Sequence, residues 1–168
     1  MYETIREGKA SIRIKKASKI SKEMDVFYNP VMELNRDITI LLLQQFSPMN
    51  LCDPLAASGI RSIRFSKELK YKSIAINDVN EKAVKSIKNS LKLNKINNFA
   101  TMNKPLKKLN NTIKNNNKIS IHNEDANLFL LNSKGFDYID VDPFGTSNSY
   151  LEAAIKRISR NGILAVTN

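Results

Sequence analysis

From Pro48 onward the chain alternates short apolar runs with segments of helical spacing, and this alternation restricts the fold more than any other feature. Asn50 to Asp53, Ser73 to Asn77, Lys118 to His122, Phe136 to Val141 and Ile163 to Thr167 have the length and composition of strands. Between them lie helical segments at about Ile60 to Leu69, Asn80 to Leu93, Ala126 to Leu131 and Tyr150 to Ile158. Strands separated by helices cannot pair as hairpins. They form a mostly parallel sheet with helices on both faces, an α/β fold. Such sheets bind ligands beyond the carboxyl ends of their strands, so the chemistry is expected just after each strand.

Upstream of Pro48 the pattern differs. Thr4 to Lys16 alternates apolar and polar residues around Glu7-Gly8, as in a short hairpin. A helix then begins with Asn29 as cap and Pro30 in the first turn, and it stops before Ser47-Pro48. Val31, Leu34, Ile38, Leu41 and Leu42 recur at helical spacing in it, and Arg36 is read by default on its exposed face. The expected organisation is a hairpin and basic segment over residues 1–28, followed by one core over 29–168.

The chain has 168 residues, with 27 Lys and Arg against 16 acids, a net charge of +11. That excess favours a polyanionic partner such as nucleic acid. Residues 1–22 are strongly basic, and a second cluster runs through Lys104, Lys107, Lys108, Lys114 and Lys118, though its asparagine-rich surroundings fit a solvated loop equally well. One cysteine (Cys52) and one histidine (His122) leave no disulfide framework or Cys/His zinc cluster, and both are read as structural. No apolar run approaches the ~20 residues of a membrane span, and Met1-Tyr2-Glu3-Thr4 has no apolar signal region. The protein is read as cytoplasmic.

Four strand ends carry unusual residues. After the first comes Asp53-Pro54-Leu55-Ala56-Ala57-Ser58-Gly59-Ile60-Arg61, where small residues and Gly59 let a ligand approach the backbone at a helix start. A tight turn would look the same. The second strand ends in Asn77-Asp78, nineteen residues after Gly59, where a carboxylate can take ribose hydroxyls or cap the next helix. The third is followed by Asp125-Ala126, an acceptor for an adenine amine beside a small residue, or again a helix cap. The fourth ends in Asp140-Val141-Asp142-Pro143-Phe144-Gly145, the strongest local signal. An exocyclic base amine is a poor nucleophile because its lone pair is delocalised into the ring. A carboxylate that accepts its N–H can aim the nitrogen at a methyl donor, and Phe144 offers a stacking face. Phe27, in Val26-Phe27-Tyr28-Asn29-Pro30, is either core or a second stacking face.

Together, Val26–Pro30, Asn35-Arg36-Asp37, Ser58–Arg61, Asn77-Asp78 and Asp140–Gly145 resemble the archaeal and eukaryotic tRNA guanine-26 dimethyltransferases in order and spacing, over about Glu7 to Asn168. The resemblance implies a Rossmann-like class I S-adenosylmethionine-dependent methyltransferase fold and methylation of the N2 amine of guanine 26 in tRNA. It implies that Asp142 is catalytic and that Phe27 and Phe144 sandwich the guanine, which must leave its stack to be reached. It implies cofactor roles for Arg36 and Arg61 at the amino-acid portion or the loop around it, for Asp78 at the ribose, and for Asp125 and Ala126 at the adenine. The family continues past the fifth strand into further strands and a C-terminal tRNA-holding domain, and it usually reads Thr-Ala-Thr-Asp where this chain has Thr167-Asn168. The expectation is therefore a sheet incomplete at its C-terminal edge. A C-terminal half chain becomes a possible partner, with a cofactor- or tRNA-binding half inactive alone as the alternative. Another RNA or DNA base-amine methyltransferase is a further rival.

Overall fold

A computed structural model describes residues 2–15, 26–102 and 118–168. The basic positions Lys16, Lys19 and Lys22, and the cluster at 104–114, lie outside the described residues.

The hairpin forms as expected. Strand β1 (Tyr2–Glu7) pairs antiparallel with β2 (Ala10–Lys15). Asn29 accepts from the Val31 amide at 3.0 Å and opens a 3-10 turn over Pro30–Met32, which runs into α1 (Glu33–Leu43). Then follow β3 (Met49–Asp53), α2 (Ile60–Glu68), β4 (Tyr71–Asn77), α3 (Glu81–Leu93), β5 (Phe99–Met102), β6 (Ile119–His122), α4 (Ala126–Asn132), β7 (Phe136–Val141), α5 (Asn148–Ile155) and β8 (Ile158–Val166). Six of these strands form one parallel sheet in the order β5-β6-β4-β3-β7-β8.

Three readings of the sequence need correction. Strand β5 is absent from the expected elements; it is four residues long, follows Asn97-Asn98 and, among the described residues, pairs only with β6 at the sheet edge. The last helix ends at Ile155 and the last strand begins at Ile158, five residues earlier than the apolar run alone suggests. The third correction is α1, whose apolar stripe faces outward. Val31, just before the helix, Leu34, Ile38 and Leu41 are 57–80% exposed, whereas Arg36 is only 5% exposed. The buried face of α1 is Arg36, Thr39, Ile40 and Leu43.

Period-two alternation divides the core between the two faces of the sheet. Leu51, Ile74, Ile76, Ile121 and Tyr138 meet α2 and α3 through Ile63, Phe65, Ile87 and Leu91. Hairpin residues Ala10, Ile12 and Ile14 join that same cluster. On the other face Cys52, Ala75, Ile139 and Val141 meet Phe129 and Leu130 of α4 and Ala153 and Ala154 of α5. Each fully buried aliphatic contributes about 1.5–3 kcal/mol. Cys52 is buried in β3, and the buried His122 packs 4.7 Å from the Phe129 ring. No helix among the described residues is long and apolar enough to cross a membrane.

Candidate active site

A cavity of about 580 Å³ opens at the carboxyl ends of β3 and β7, at the N-terminus of α2. Its walls include Phe27, Arg36, Asp53, Arg61, Asp142 and Phe144, so chain segments far apart in sequence meet there. Thr167 and Asn168 also line it, and Asn168 Oδ1 accepts from the Ser147 amide at 3.0 Å and its hydroxyl at 2.6 Å.

Arg61 is the centre of the floor. Tyr138, Asp140 and Asp142 alternate along β7 and its extension, so they project to one side of the sheet. Arg61 Nη1 lies 3.0 Å from Asp140 Oδ2, and Arg61 Nη2 donates to Asp142 Oδ2 at 2.8 Å. Further bonds to Thr39 Oγ1 (3.2 Å) and Asn35 Oδ1 (3.0 Å) fix the guanidinium against α1. The Tyr138 hydroxyl donates to Asp140. Asp53, buried at the end of β3, accepts from Ser62 Oγ at 2.8 Å. Burial, and then the negative charge of Asp140, push the Asp53 carboxyl up to about 7. Burial raises Asp140 as well, and Arg61 opposes it. One cation thus serves several acids in a desolvated space, where a charge left without its partner is costly.

A second ionic cluster fixes the near wall. Glu7 at the end of β1 accepts from Arg36 Nε and Nη2, both at 2.7 Å, and from Arg64 Nη1 at 3.0 Å. Arg36 Nη2 also donates to the Asn29 carbonyl at 3.0 Å. Burial raises the Glu7 carboxyl, but the two guanidiniums outweigh it and the net shift is downward. The Tyr28 hydroxyl donates to Glu7 Oε2 at 3.2 Å; burial, then the charge of Glu7, push its titration up to about 12. These bonds explain the inverted α1. Its arginine faces inward because the hairpin presents a buried carboxylate to it. Neither the Glu7 pairing nor the Arg61 network is read from the sequence. For Glu7 there is no local signal. For Arg61 the signal is the i, i+2 spacing of Asp140 and Asp142.

Phe27 and Phe144 stand at the mouth with centroids 4.9 Å apart and planes at 88°. They touch edge to face. A flat base between parallel rings needs about 7 Å, two van der Waals contacts, more than the 4.9 Å between these centroids. Phe144 is half exposed, and Gly145 beside it has φ +108° with open space on the side where a Cβ would stand.

The other expected ligand residues sit along the neighbouring strand ends. Gly59 starts α2 at φ +74°, and a Cβ there would lie 2.8 Å from Ile87 Cγ1, so only glycine fits. Asp78 Oδ2 accepts from the Ala57 amide at 2.7 Å and Oδ1 from the Asn80 amide at 2.8 Å. Its carboxylate therefore braces the loop before Gly59. Asp125 caps α4 through the Leu128 amide at 3.0 Å, and Ala126 is buried. Asn77 ties three strand ends together through the Pro54 and Glu124 carbonyls, both at 3.0 Å. Asp78, Asp125 and Ala126 do not line the 580 Å³ cavity, whereas Ala57, bonded to Asp78, does. Beside Asp125, the buried His122 Nδ1 and Glu124 Oε1 lie 4.0 Å apart and have no hydrogen-bond partner among the described residues.

The floor can hold a carboxylate in a fixed direction beneath an aromatic pair. Compared with known proteins, the chain has a TM-score of 0.78 to the structure of Trm1 from Pyrococcus horikoshii, solved with S-adenosyl-L-methionine. That match has 35% identity and covers 96% of this chain and 41% of that one, and it makes the fold that of an α/β methyltransferase. Residues 8–168 match the model of the N2,N2-dimethylguanosine tRNA methyltransferases, and the chain belongs to that family. It is 37% identical over 174 residues to the tRNA (guanine(26)-N(2))-dimethyltransferase of Methanococcus maripaludis, covering 97% of this chain and 41% of the relative. Against the enzyme of the same name from Pyrococcus furiosus the identity is 38% over 173 residues, covering 97% and 42%. The chain thus spans about two-fifths of the length of the relatives it matches.

Proposed function

We propose that this chain carries the catalytic site of a tRNA methyltransferase that acts on the exocyclic N2 amine of guanine 26, forming N2-methyl- and then N2,N2-dimethylguanosine in the cytoplasm. The observation that carries the reading is Asp142, fixed by Arg61 beneath Phe27 and Phe144. S-adenosylmethionine, when bound, supplies a methyl group on a sulfonium sulfur. The site suits it: a Gly59 turn at a helix start, where a Cβ would meet Ile87, and carboxylates at the next two strand ends. Asp78 would hold its ribose, Asp125 and Ala126 its adenine, and Arg36 and Arg61 the surroundings of its amino-acid portion.

The chain's own residues do the rest by positioning. Phe27 and Phe144 part to take the flipped guanine between them. Arg61 engages Asp142 through Oδ2, which leaves Oδ1 to accept an amine N–H. That bond turns the nitrogen lone pair out of conjugation and offers an acceptor for the proton the amine sheds. A singly methylated amine keeps one N–H, so the same carboxylate can orient the second transfer.

The test is methyl incorporation into an unmodified tRNA transcript with guanine at position 26, against one with adenine there. Incorporation that depends on the guanine supports the reading; equal incorporation into both contradicts it. A second reading is that turnover needs a further polypeptide matching the rest of the relatives' length, as a C-terminal half chain would. The outward apolar stripe of α1 favours it. Adding the C-terminal portion of a relative to the assay separates the two.

A further inference from the structure

Away from the catalytic cavity a larger one, of about 730 Å³, runs between β2 and α3. Arg13 and Lys15 of β2 and Lys82, Lys85 and Lys92 of α3 line it, and among the described residues no acid does. Lys82, Lys85, Asn89 and Lys92 follow each other at spacings of three and four, so they share one face of α3 over about 15 Å. Arg13, Lys85 and Lys92 gathered in one concave wall focus a positive potential, which suits an anionic chain. The wall is stiff, because Asn94 at the end of α3 bonds both ways to Ser11 of β2, accepting at 2.9 Å and donating at 2.6 Å. Tyr2 stands exposed at its edge with the Arg13 guanidinium 5.6 Å from the ring centroid. An exposed aromatic beside a basic groove is the stacking-and-phosphate combination of single-strand nucleic-acid binders.

Its position relates it to the first cavity. Val26 lines the basic groove and Phe27, the next residue, lines the catalytic cavity. Consecutive Cα atoms are about 3.8 Å apart, so the two depressions share a rim one backbone thick. We propose that this groove holds the phosphodiester backbone of the RNA strand flanking the nucleotide whose base enters the Phe27–Phe144 slot. The proposal rests on the RNA-methyltransferase reading above and adds the surface that carries the substrate. It gives base flipping a fixed point, since phosphates gripped beside the slot let a nucleotide swing out without releasing the strand.

The test uses the full 168-residue chain with Arg13→Gln, Lys85→Gln and Lys92→Gln combined, and an unmodified tRNA transcript as probe. The control combines Lys70→Gln, Lys72→Gln and Lys134→Gln, which removes the same charge from exposed positions at the amino ends of β4 and β7. Binding is followed from about 50 to 250 mM salt, with S-adenosylmethionine affinity and thermal midpoint measured in parallel. The groove variant should lose about tenfold or more in tRNA affinity near 100 mM salt, and its log–log salt slope should fall by about 2. The control, and cofactor affinity in both, should stay at wild-type values. Equal losses in both variants, no loss in either, or no tRNA binding by the wild-type chain would overturn the groove. So would a loss confined to anionic phospholipid vesicles, which would mark a membrane surface instead. Groove-dependent binding with no methyl transfer, even with a relative's C-terminal portion added, would leave the groove standing and remove the proposed chemistry. Guanine-dependent transfer that ignores the groove variant would do the reverse.

Discussion

Arg61 Nη2 lies 2.8 Å from Asp142 Oδ2, and the same guanidinium reaches Asp140 at 3.0 Å through Nη1. One buried arginine therefore sets the direction of the partly exposed acid while neutralising the buried one. Replacing Arg61 by Met leaves Asp140 desolvated without its cation, and a loss of about 3–5 kcal/mol of stability is expected. Asp142→Asn, whose side chain is partly exposed, should cost under about 1 kcal/mol. Urea denaturation of both variants checks the contrast, and equal costs would contradict it.

Asp78 braces the Gly59 loop through the Ala57 amide. Asp78→Ala should weaken S-adenosylmethionine binding by about 1.5–3 kcal/mol, the range for hydrogen bonds to a charged acceptor. Calorimetric titration measures it. Unchanged affinity would remove Asp78 from the cofactor site.

The stripe of α1 allows a stability test of its orientation. Leu34→Gln and Ile38→Gln lie on the outward face and should each change stability by about 0.5 kcal/mol or less. Ile40→Ala on the buried face should cost about 2–5 kcal/mol. Thermal denaturation of the three variants settles which face packs inward.

Asp53 gives the stability a pH dependence. Its carboxyl titrates near 7 in the fold against an ordinary value of 3.8, so between those values the folded chain holds a proton that the unfolded chain has released. Stability from this group is fully present below about pH 4 and is lost as pH rises toward 7. Asp53→Asn should remove that fall, so the variant gains on wild type as pH rises from about 4 to 7. His122, held neutral by burial with its titration lowered to about 4, acts oppositely, and its contribution is lost as pH falls from 6.5 toward 4. The difference between variant and wild type isolates Asp53. A difference independent of pH would contradict the buried-acid account.

The alternation of strands and helices makes the parallel sheet legible because each expected apolar run overlaps the strand it forms, although β4 and β8 begin before their runs. Strand β5 is not legible, since Phe99–Met102 is short and lies at an edge where few side chains must be apolar. The acids at strand ends can be read one by one, but the contact between Arg61 and Asp142 spans 81 residues, and the i, i+2 spacing of Asp140 and Asp142 does not say which cation joins them. The orientation of α1 misleads because an apolar stripe ordinarily marks the buried face. Here the partner that decides is Glu7, a charge in a hairpin 29 residues away from Arg36. Hydrophobic spacing carries no information about such a pairing.

The central claim, that Asp142 orients the guanine amine, is tested most directly by single-turnover methyl transfer to unmodified tRNA with Asp142→Ala, in the presence of a relative's C-terminal portion if the chain alone turns over near background. The variant is expected to lose most of the transfer rate, about a hundredfold or more, while binding S-adenosylmethionine as tightly as wild type. Transfer at the wild-type rate by Asp142→Ala would contradict the account.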